Sequence, residues 1–299
     1  MARCAVDVHS PEFLATLSVA FENMSVAGFR RTEQRRRKPK QPTSKPSRIG
    51  SRACGRILVI LMQIFIAFQI DGFYRLTLPW FGLEERSVLD CIAKLVFLSV
   101  GVLIEVFYSC TSFIDPGSPK IDSQTKDWCN CCMAPKPERC HHCSTCCRCV
   151  LRMDHHCIFT NCCVGRHNQP YFLVFLLLTT IGAALAALTA APQIPGALLS
   201  LFLGEDVKHV RTLHLLILGI SATCAFLLLW NLLLAQLHLL LRNETTIESL
   251  RNWAERCPSA YDRGVRQNIA EIFGTPSRYV PQVILDLLDG ADQFLSGDD

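Results

Sequence analysis

One stretch of the chain, from Trp128 to Phe172, concentrates the residues that could do chemistry. It holds eleven of the 17 cysteines, and four histidines lie between those cysteines. Thiolate sulfur and imidazole nitrogen are ligands that Zn²⁺ accepts, and a thiolate is also a nucleophile. The stretch therefore predicts metal binding, thiol chemistry, or both.

Cysteine pairs separated by two residues recur in this stretch, as Cys129 with Cys132, Cys143 with Cys146, and Cys146 with Cys149. This spacing lets one turn present two thiolates to the same metal ion, as structural zinc sites require. The other candidate ligands are His141, His142, His155, His156 and Cys163. Two four-coordinate sites can be filled from this set, but the spacing does not decide which residue belongs to which site.

A carboxylate, two imidazoles and a thiol follow one another at Asp154, His155, His156 and Cys157. A free thiol has a pKa of about 8.5, and an adjacent imidazole that a carboxylate orients is the usual means of activating it. The residues alone leave two interpretations open. Either Cys157 is a nucleophile served by His155 and Asp154, or all four residues belong to the metal sites.

Half of the residues in the chain are hydrophobic, and many of them form four apolar blocks at residues 57–78, 89–114, 170–191 and 213–241. These blocks must position the cysteine-rich stretch. Each is long enough to cross a hydrocarbon core about 30 Å thick, which needs roughly 20 helical residues. No block alternates as the strands of a membrane barrel do, so the blocks must be helices. We expect an all-α polytopic membrane protein with four transmembrane helices and a small zinc-bound cysteine-rich domain between the second and third.

The distribution of Lys and Arg predicts the orientation. Twelve precede the first block, seven lie at 115–169 and six lie from residue 242 onward, whereas the two short connections hold two each. Positive residues mark the cytosolic side, so both termini and the cysteine-rich domain are expected there. Thiols in the reducing cytosol stay free for metal binding or catalysis. The glycosylation sequons at Asn23 and Asn243 are then expected to be unused.

The domain organisation follows from these blocks. We expect a disordered basic tail at 1–56, helices 1 and 2 at 57–114, the cysteine-rich domain at 115–169, helices 3 and 4 at 170–241, and a cytosolic segment at 242–299. The basic run Arg35–Lys38 is not interleaved with aromatic residues and precedes an apolar block. It indicates lipid headgroups rather than nucleic acid as its neighbour.

The chain resembles the DHHC-type protein S-acyltransferases, the palmitoyltransferases, over about residues 57–274. The central match is Asp154-His155-His156-Cys157, in a cysteine-rich loop between the second and third of four helices. Further matches are Asp115-Pro116-Gly117 (DPG), Lys136, Pro137, Arg139, His142 and Cys143 (KPxRxxHC), Val164, Gly165, Asn168 and Phe172 (VGxxNxxxF), Thr245, Thr246, Ile247 and Glu248 (TTxE), and the C-terminal positions Tyr261, Asp262, Gly264, Asn268, Phe273 and Gly274.

The resemblance implies a role for each matching residue. One structural Zn²⁺ would take Cys129, Cys132, His142 and Cys149, and a second would take Cys143, Cys146, His156 and Cys163. His155 would then be free to deprotonate Cys157, with Asp154 orienting it. Thr246 would support that pair, and Asn268 would brace the C-terminal segment.

The resemblance also implies a two-step reaction in which Cys157 takes the acyl group from palmitoyl-CoA and passes it to a protein cysteine. The expected substrates are proteins with cytosolic juxtamembrane cysteines, beside a lipid bilayer and without nucleic acid. The expected location is the Golgi or endoplasmic reticulum, with the plasma membrane as an alternative. Arg152 and Arg166 are candidates to contact CoA phosphates, with solvated or headgroup-facing charge as the other interpretation.

The sequence departs from the family at a few positions. Ile158 and Phe159 stand where the family has Pro-Trp, and Cys162 stands where it has a second Asn. These departures leave open a catalytically weak or inactive membrane scaffold built on the zinc loop. A RING-type ubiquitin ligase also binds two zinc ions, but this compact loop lacks the long separation of ligand pairs that a RING requires.

Overall fold

The computed structural model describes residues 48–77, 87–119, 125, 127–203, 209–255 and 257–274. The predictions for the basic tail before residue 48, for the sequon at Asn23 and for the chain after residue 274 lie outside these residues. The described helices are α1 (Arg48–Gly72), α2 (Val88–Phe113), α3 (Gln169–Ala190), α4 (Ile194–Phe202), α5 (His209–Leu241), α6 (Thr246–Glu255) and α7 (Val265–Phe273).

Among the described residues, four helical stretches are long and apolar enough to cross a membrane: Gly55–Arg75, Val88–Phe113, Gln169–Phe202 and Thr212–Leu241. The predicted all-α architecture with four spans is therefore confirmed. The third span is longer than the apolar block at 170–191. A 3₁₀ turn at Ala191–Gln193 leads directly into α4, and both segments carry proline in their first turn, where a missing N–H costs no helical hydrogen bond.

Helices α3 and α5 pack closely against each other. Leu173 and Leu176 of α3 share a buried apolar cluster with Leu233 and Leu240 of α5. Further along, a Cβ atom at Gly219 of α5 would lie 3.2 Å from Cβ of Ala190. Small residues thus bring the two backbones together, as they do in many membrane proteins.

Three short antiparallel hairpins form the cysteine-rich domain. Their strands are β1 (Trp128–Cys129) with β2 (Ala134–Pro135), β3 (His141–Cys143) with β4 (Arg148–Val150), and β5 (His155–Cys157) with β6 (Cys162–Val164). Strands of two or three residues bury little apolar surface, so such a domain depends on cross-links other than an apolar core.

Asn168 joins the third hairpin to the membrane helices. Its side-chain amide donates to the carbonyl of Thr111 in α2 at 3.1 Å and to that of Cys163 in β6 at 2.9 Å. Its carbonyl oxygen accepts from the backbone N–H of Gly165 at 2.9 Å. A side chain at Gly165 would meet Val150 at 2.7 Å, which explains the glycine there.

Candidate active site and metal-binding clusters

The three hairpins repeat one local turn. Each first strand contains a cysteine, and these cysteines, Cys129, Cys143 and Cys157, stand at equal intervals along the chain. The residue four positions after each has a left-handed backbone, at Met133 (φ 52°), Cys147 (φ 55°) and Asn161 (φ 49°). The hairpin that holds Cys157 is therefore built like the two before it.

The third turn differs from the others in one ligand. The first two turns carry a second cysteine, Cys132 or Cys146, three residues after the first, and the third carries Thr160 at that place. In the second turn the N–H of Cys146 donates to Sγ of Cys143 at 3.3 Å. In the third turn Thr160 is buried and contributes to lowering the pKa of Cys157. The third turn therefore presents the thiol of Cys157 alone, without the second cysteine that completes a pair of metal ligands in the first two turns.

Cys129, Cys132, His142 and Cys149 form the first metal-binding cluster. Their ligand atoms all lie within 4.8 Å of one another. His142 Nδ1 is 3.1 Å from Sγ of Cys132. Three sulfurs and one imidazole at this separation match the tetrahedral ligand set of a structural zinc site, so the cluster could hold one Zn²⁺.

Cys143, Cys146, His156 and Cys163 form the second cluster, again with ligand atoms within 4.8 Å. Nδ1 of His156 lies between 3.4 and 3.7 Å from the three sulfurs. This cluster could also hold one Zn²⁺. The structure thus brings together both ligand sets that the resemblance implied. Because the ligands come from more than one hairpin in each cluster, two metal ions would tie the hairpins together.

His155 and Cys157 lie outside both clusters. Nδ1 of His155 is 2.6 Å from Oδ2 of Asp154. The imidazole meets the ring of Phe172 edge-on, with the ring centres 5.3 Å apart. Side chains alternate along a strand, so His156 can belong to a metal cluster while His155 does not.

Hydrogen bonds and charge set the protonation of this group. Burial raises the pKa of Cys157, but the hydrogen bond and charge of His155 outweigh it and lower that pKa to about 7. Burial lowers the pKa of His155, but hydrogen bonds to Asp154 and Cys157 raise it to about 10. Cys157 is therefore much richer in thiolate at neutral pH than a free cysteine.

Asp154 is fully buried and is held by the start of α6. Thr246 donates to its carboxylate from the backbone N–H, at 2.7 Å, and from the hydroxyl, at 3.0 Å. Gln236 of α5 donates to the same group at 3.3 Å. Burial raises the pKa of Asp154, but the bonds from His155 and Thr246 prevail and lower it.

Arg139 connects the cysteine-rich domain to the segment after α5. It donates to both carboxylate oxygens of Glu248, at 2.8 Å each, and to the carbonyl of Asn243 at 2.8 Å. Its guanidinium also lies 4.0 Å from the ring centre of Tyr261. This network fixes α6, which carries Thr246, relative to the hairpins.

Asn268, on α7, closes the C-terminal segment against α5. Its amide donates to the carbonyl of Leu241 at 2.6 Å and to Asp262 at 2.7 Å. Its carbonyl oxygen accepts from the N–H of Arg263 at 2.9 Å.

The glycosylation sequon at Asn243 lies in this part of the fold. Asn243 is fully buried. In the folded protein its side chain is therefore inaccessible, whichever side of the membrane the segment faces.

The expectations for Arg152 and Arg166 have different outcomes. Arg152 is 6% exposed and donates to Gln169 and, at 2.8 Å, to Asn243. The interpretation of Arg152 as solvated charge is therefore wrong, because its guanidinium is buried and donates to groups inside the protein. Arg166 is exposed.

The departures from the family lie around the tip of the third hairpin. Ile158 and Phe159 are 44% and 45% exposed, and the hydroxyl of Tyr108 in α2 donates to the carbonyl of Phe159 at 2.8 Å. Cys162 is directly opposite Cys157 in the hairpin register. Of the other spare thiols, Cys140 is buried and Cys131 and Cys147 are exposed.

Two residues of the site were missed by sequence reasoning. Gln236 is an amide within an otherwise apolar span, and a polar residue there is a known signal of a functional contact. Thr160 could have been found from the equal spacing of Cys129, Cys143 and Cys157, which aligns it with the second thiol of each metal-binding turn.

Comparison with known proteins identifies relatives of this chain. The sequence model of the DHHC palmitoyltransferase family matches residues 122–252. Palmitoyltransferase ZDHHC15A of Danio rerio is 36% identical over 154 residues, which are 50% of this chain and 46% of that protein. Probable protein S-acyltransferase 14 of Arabidopsis thaliana is 36% identical over 154 residues, covering 51% of this chain and 48% of that protein.

The matched region thus spans about half the length of these two relatives. A longer match is to probable protein S-acyltransferase 12 of Arabidopsis thaliana, which is 30% identical over 213 residues, or 63% of this chain and 71% of that protein. Together with the two Cys/His clusters between the second and third of four apolar spans, this similarity means that the chain belongs to the DHHC palmitoyltransferase family.

Proposed function

We propose that the protein is a protein S-acyltransferase, which takes a long-chain acyl group such as palmitoyl from acyl-CoA and transfers it to a cysteine thiol of a protein substrate. The observation that carries this proposal is the series Thr246, Asp154, His155 and Cys157. Thr246 and His155 both hydrogen-bond to the buried carboxylate of Asp154, and His155 lowers the pKa of the buried Cys157. The matching family supports the same reaction class.

Cys157 is the nucleophile in the first step. Its thiolate attacks the thioester carbonyl carbon of the acyl-CoA, a new C–S bond forms, and the bond from the acyl carbon to the CoA sulfur breaks. The CoA sulfur takes the proton from His155 and leaves as the free thiol. Asp154 orients the imidazole and stabilises its protonated form, as the 2.6 Å contact between them allows.

The second step reverses these roles with a different thiol. The thiol of the protein substrate loses its proton to His155 and attacks the acyl carbon on Cys157. The bond to Cys157 breaks, and Cys157 leaves as the thiolate that began the cycle. Two transfers through one covalent intermediate predict ping-pong kinetics.

Two Zn²⁺ ions, when bound, would act as structural ions that offer no open coordination position for chemistry. The residues that would hold them are Cys129, Cys132, His142 and Cys149 for one ion, and Cys143, Cys146, His156 and Cys163 for the other. The protein side chains alone carry the acyl group and the protons.

The surroundings of Cys157 suit an acyl chain. Cys157 shares an apolar cluster with Phe172 and Leu176 of α3 and Leu233 of α5. Each buried methylene of a bound chain contributes about 0.8 kcal/mol. A chain attached to Cys157 would therefore be best held among the membrane helices.

The expected setting follows from the charge distribution. The cysteine-rich domain and both termini would face the cytosol, because they hold most of the Lys and Arg. The substrates would then be proteins with cysteines close to the cytosolic membrane surface. An endomembrane, the Golgi or endoplasmic reticulum, is the proposed location, with the plasma membrane as the alternative.

A pulse–chase experiment tests the complete reaction. Purified protein is labelled with a palmitoyl-CoA analogue, freed of donor, and mixed with a peptide that contains one cysteine or with its serine counterpart. The proposal predicts that label leaves Cys157 and arrives only on the cysteine peptide. Label that stays on the protein, or that is released only as free fatty acid, would contradict acyl transfer to a protein thiol.

A further inference from the structure

A cavity of about 340 Å³ opens between the cysteine-rich domain, the start of α3 and α7. Gln169, the first residue of the third candidate span, borders it, whereas Asp154, His155 and Cys157 do not. Its charged lining residues are Arg139, Arg152, Arg166, Arg263, Glu138 and Glu271. The cavity is therefore separate from the candidate active site and lies at the end of the third span.

The two carboxylates in the lining are already engaged. Glu271 Oε1 accepts from Arg139 at 2.9 Å, and Oε2 accepts from the amide of Asn243 at 2.7 Å. Glu138 accepts from the hydroxyl of Tyr261 at 2.7 Å. Glu248 also pairs with Arg139 behind the cavity wall, so four guanidinium groups stand against three carboxylates and leave one excess positive charge.

Hydrogen-bond donors remain available on three of the arginines. Within the described part of the chain, Arg166 and Arg263 have no side-chain partner, and both are exposed. The Arg152 side chain is 7% exposed, and its buried Nε atom has no hydrogen-bond partner among the described residues. A carboxylate oxygen of Glu271 is 3.5 Å from that atom. A buried donor of this kind usually has an acceptor when the protein is complete with its ligands.

We propose that this cavity binds a phosphate ester, and that the phosphate belongs to the headgroup of an anionic membrane lipid. Guanidinium groups match phosphate oxygens in geometry as well as charge. The cavity borders the first residue of a membrane span, which is the depth at which lipid phosphates are concentrated. The lipid chains would continue along the apolar surface of α3. This binding goes beyond the proposed acyl transfer and does not depend on it.

The test uses the purified full-length protein in neutral detergent micelles. Dioctanoyl phosphatidic acid or dioctanoyl phosphatidylcholine is titrated, and native mass spectrometry counts the lipid molecules bound. We expect one phosphatidic acid per chain, bound in clear preference to phosphatidylcholine. R166Q and R263Q should each weaken its binding about fivefold, and together about twentyfold, since one basic residue near lipid phosphate contributes roughly 1 kcal/mol.

The matched control is R251Q, which removes the same charge from an exposed position on α6 outside the cavity. It should leave binding of phosphatidic acid unchanged. Equal binding of the two lipids, or an equal loss in R251Q, would overturn the site. Since Arg166 and Arg263 are exposed, their variants should unfold at the same temperature as the wild type without lipid. An unchanged unfolding temperature would mean that a loss of lipid binding does not come from a loss of folding.

Two soluble competitors separate the sources of phosphate. Inorganic phosphate and CoA without an acyl group are each added to the protein loaded with phosphatidic acid. The proposal expects neither to displace the lipid at equal concentration. Displacement by phosphate would make the site one for a free ion, and displacement by CoA would make it part of the donor site, so either result overturns the lipid assignment. Formation of the acyl-enzyme is not a readout here, so this proposal and the proposed function can fail independently.

Discussion

Arg139 and Glu248 form a two-pronged ion pair, with both carboxylate oxygens accepting from the guanidinium at 2.8 Å. The side chains are only 9% and 3% exposed. They lie 109 residues apart in the chain and join the cysteine-rich domain to the helix that carries Thr246. The position of Thr246 against Asp154 therefore depends on a contact outside the active site.

Replacing Arg139 by lysine should destabilise the protein by about 3 kcal/mol, since breaking a buried pair leaves a carboxylate without its partners and an ammonium group cannot reproduce the two-pronged contact. Thermal unfolding of the purified protein measures the change. The control is Arg148→Lys, because Arg148 pairs with Asp115 at the surface, with side chains 36% and 62% exposed. That variant should lose no more than about 0.5 kcal/mol. Equal effects of the two substitutions would contradict the role given to Arg139.

Thr246→Val should slow acylation of Cys157 by about tenfold, because it removes the hydroxyl that donates to Asp154 and leaves a buried carboxylate oxygen short of one donor. Thr246→Ser keeps the hydroxyl and should restore most of the rate. The initial rate of thioester formation from palmitoyl-CoA measures both. A serine variant as slow as the valine variant would mean that the methyl group, rather than the hydrogen bond, matters.

Thr160→Val tests the third hairpin turn. Thr160 is buried and contributes to lowering the pKa of Cys157, and valine has nearly the same shape but lacks the hydroxyl. We expect the acylation rate to fall by about three- to tenfold, because the thiolate of Cys157 loses a polar neighbour that contributes roughly 1.5 kcal/mol or less. Thr160→Ser should react nearly as fast as the wild type. An unchanged rate in Thr160→Val would remove Thr160 from the site.

The two metal-binding clusters predict two Zn²⁺ ions per chain, measurable by elemental analysis of the purified protein. Cys163→Ser should lower the zinc content towards one ion and abolish acylation of Cys157, because the hairpins have little apolar core of their own. Cys147→Ser changes an exposed thiol outside both clusters and should retain both ions and the activity. Full acylation of a zinc-free protein would contradict the structural role of the ions.

The spans and the metal clusters could be predicted from the sequence for different reasons. Long apolar blocks such as residues 89–114 indicate a membrane helix by length alone. Spacing alone did not assign the zinc ligands, because His141 and His142 were equally available. The assignment required the resemblance to a family. His142 lies in a cluster, and His141 does not.

The contacts between distant segments could not be predicted in this way. Solvent contact was one interpretation of Arg152, because arginine side chains usually keep their charge in water. It is buried against Asn243, 91 residues away in the chain. Gln236 similarly reaches Asp154 across 82 residues. Such pairs depend on how helices and hairpins pack, which local spacing does not encode.

The thioester at Cys157 is the central intermediate of the proposed reaction. Purified wild type, Cys157→Ser and Cys162→Ser are incubated with a palmitoyl-CoA analogue, and the label that hydroxylamine releases is measured with zinc content as the check on folding. We predict label on the wild type and on Cys162→Ser and none on Cys157→Ser. Label that persists in Cys157→Ser, or is absent from a zinc-loaded wild type, would contradict Cys157 as the nucleophile.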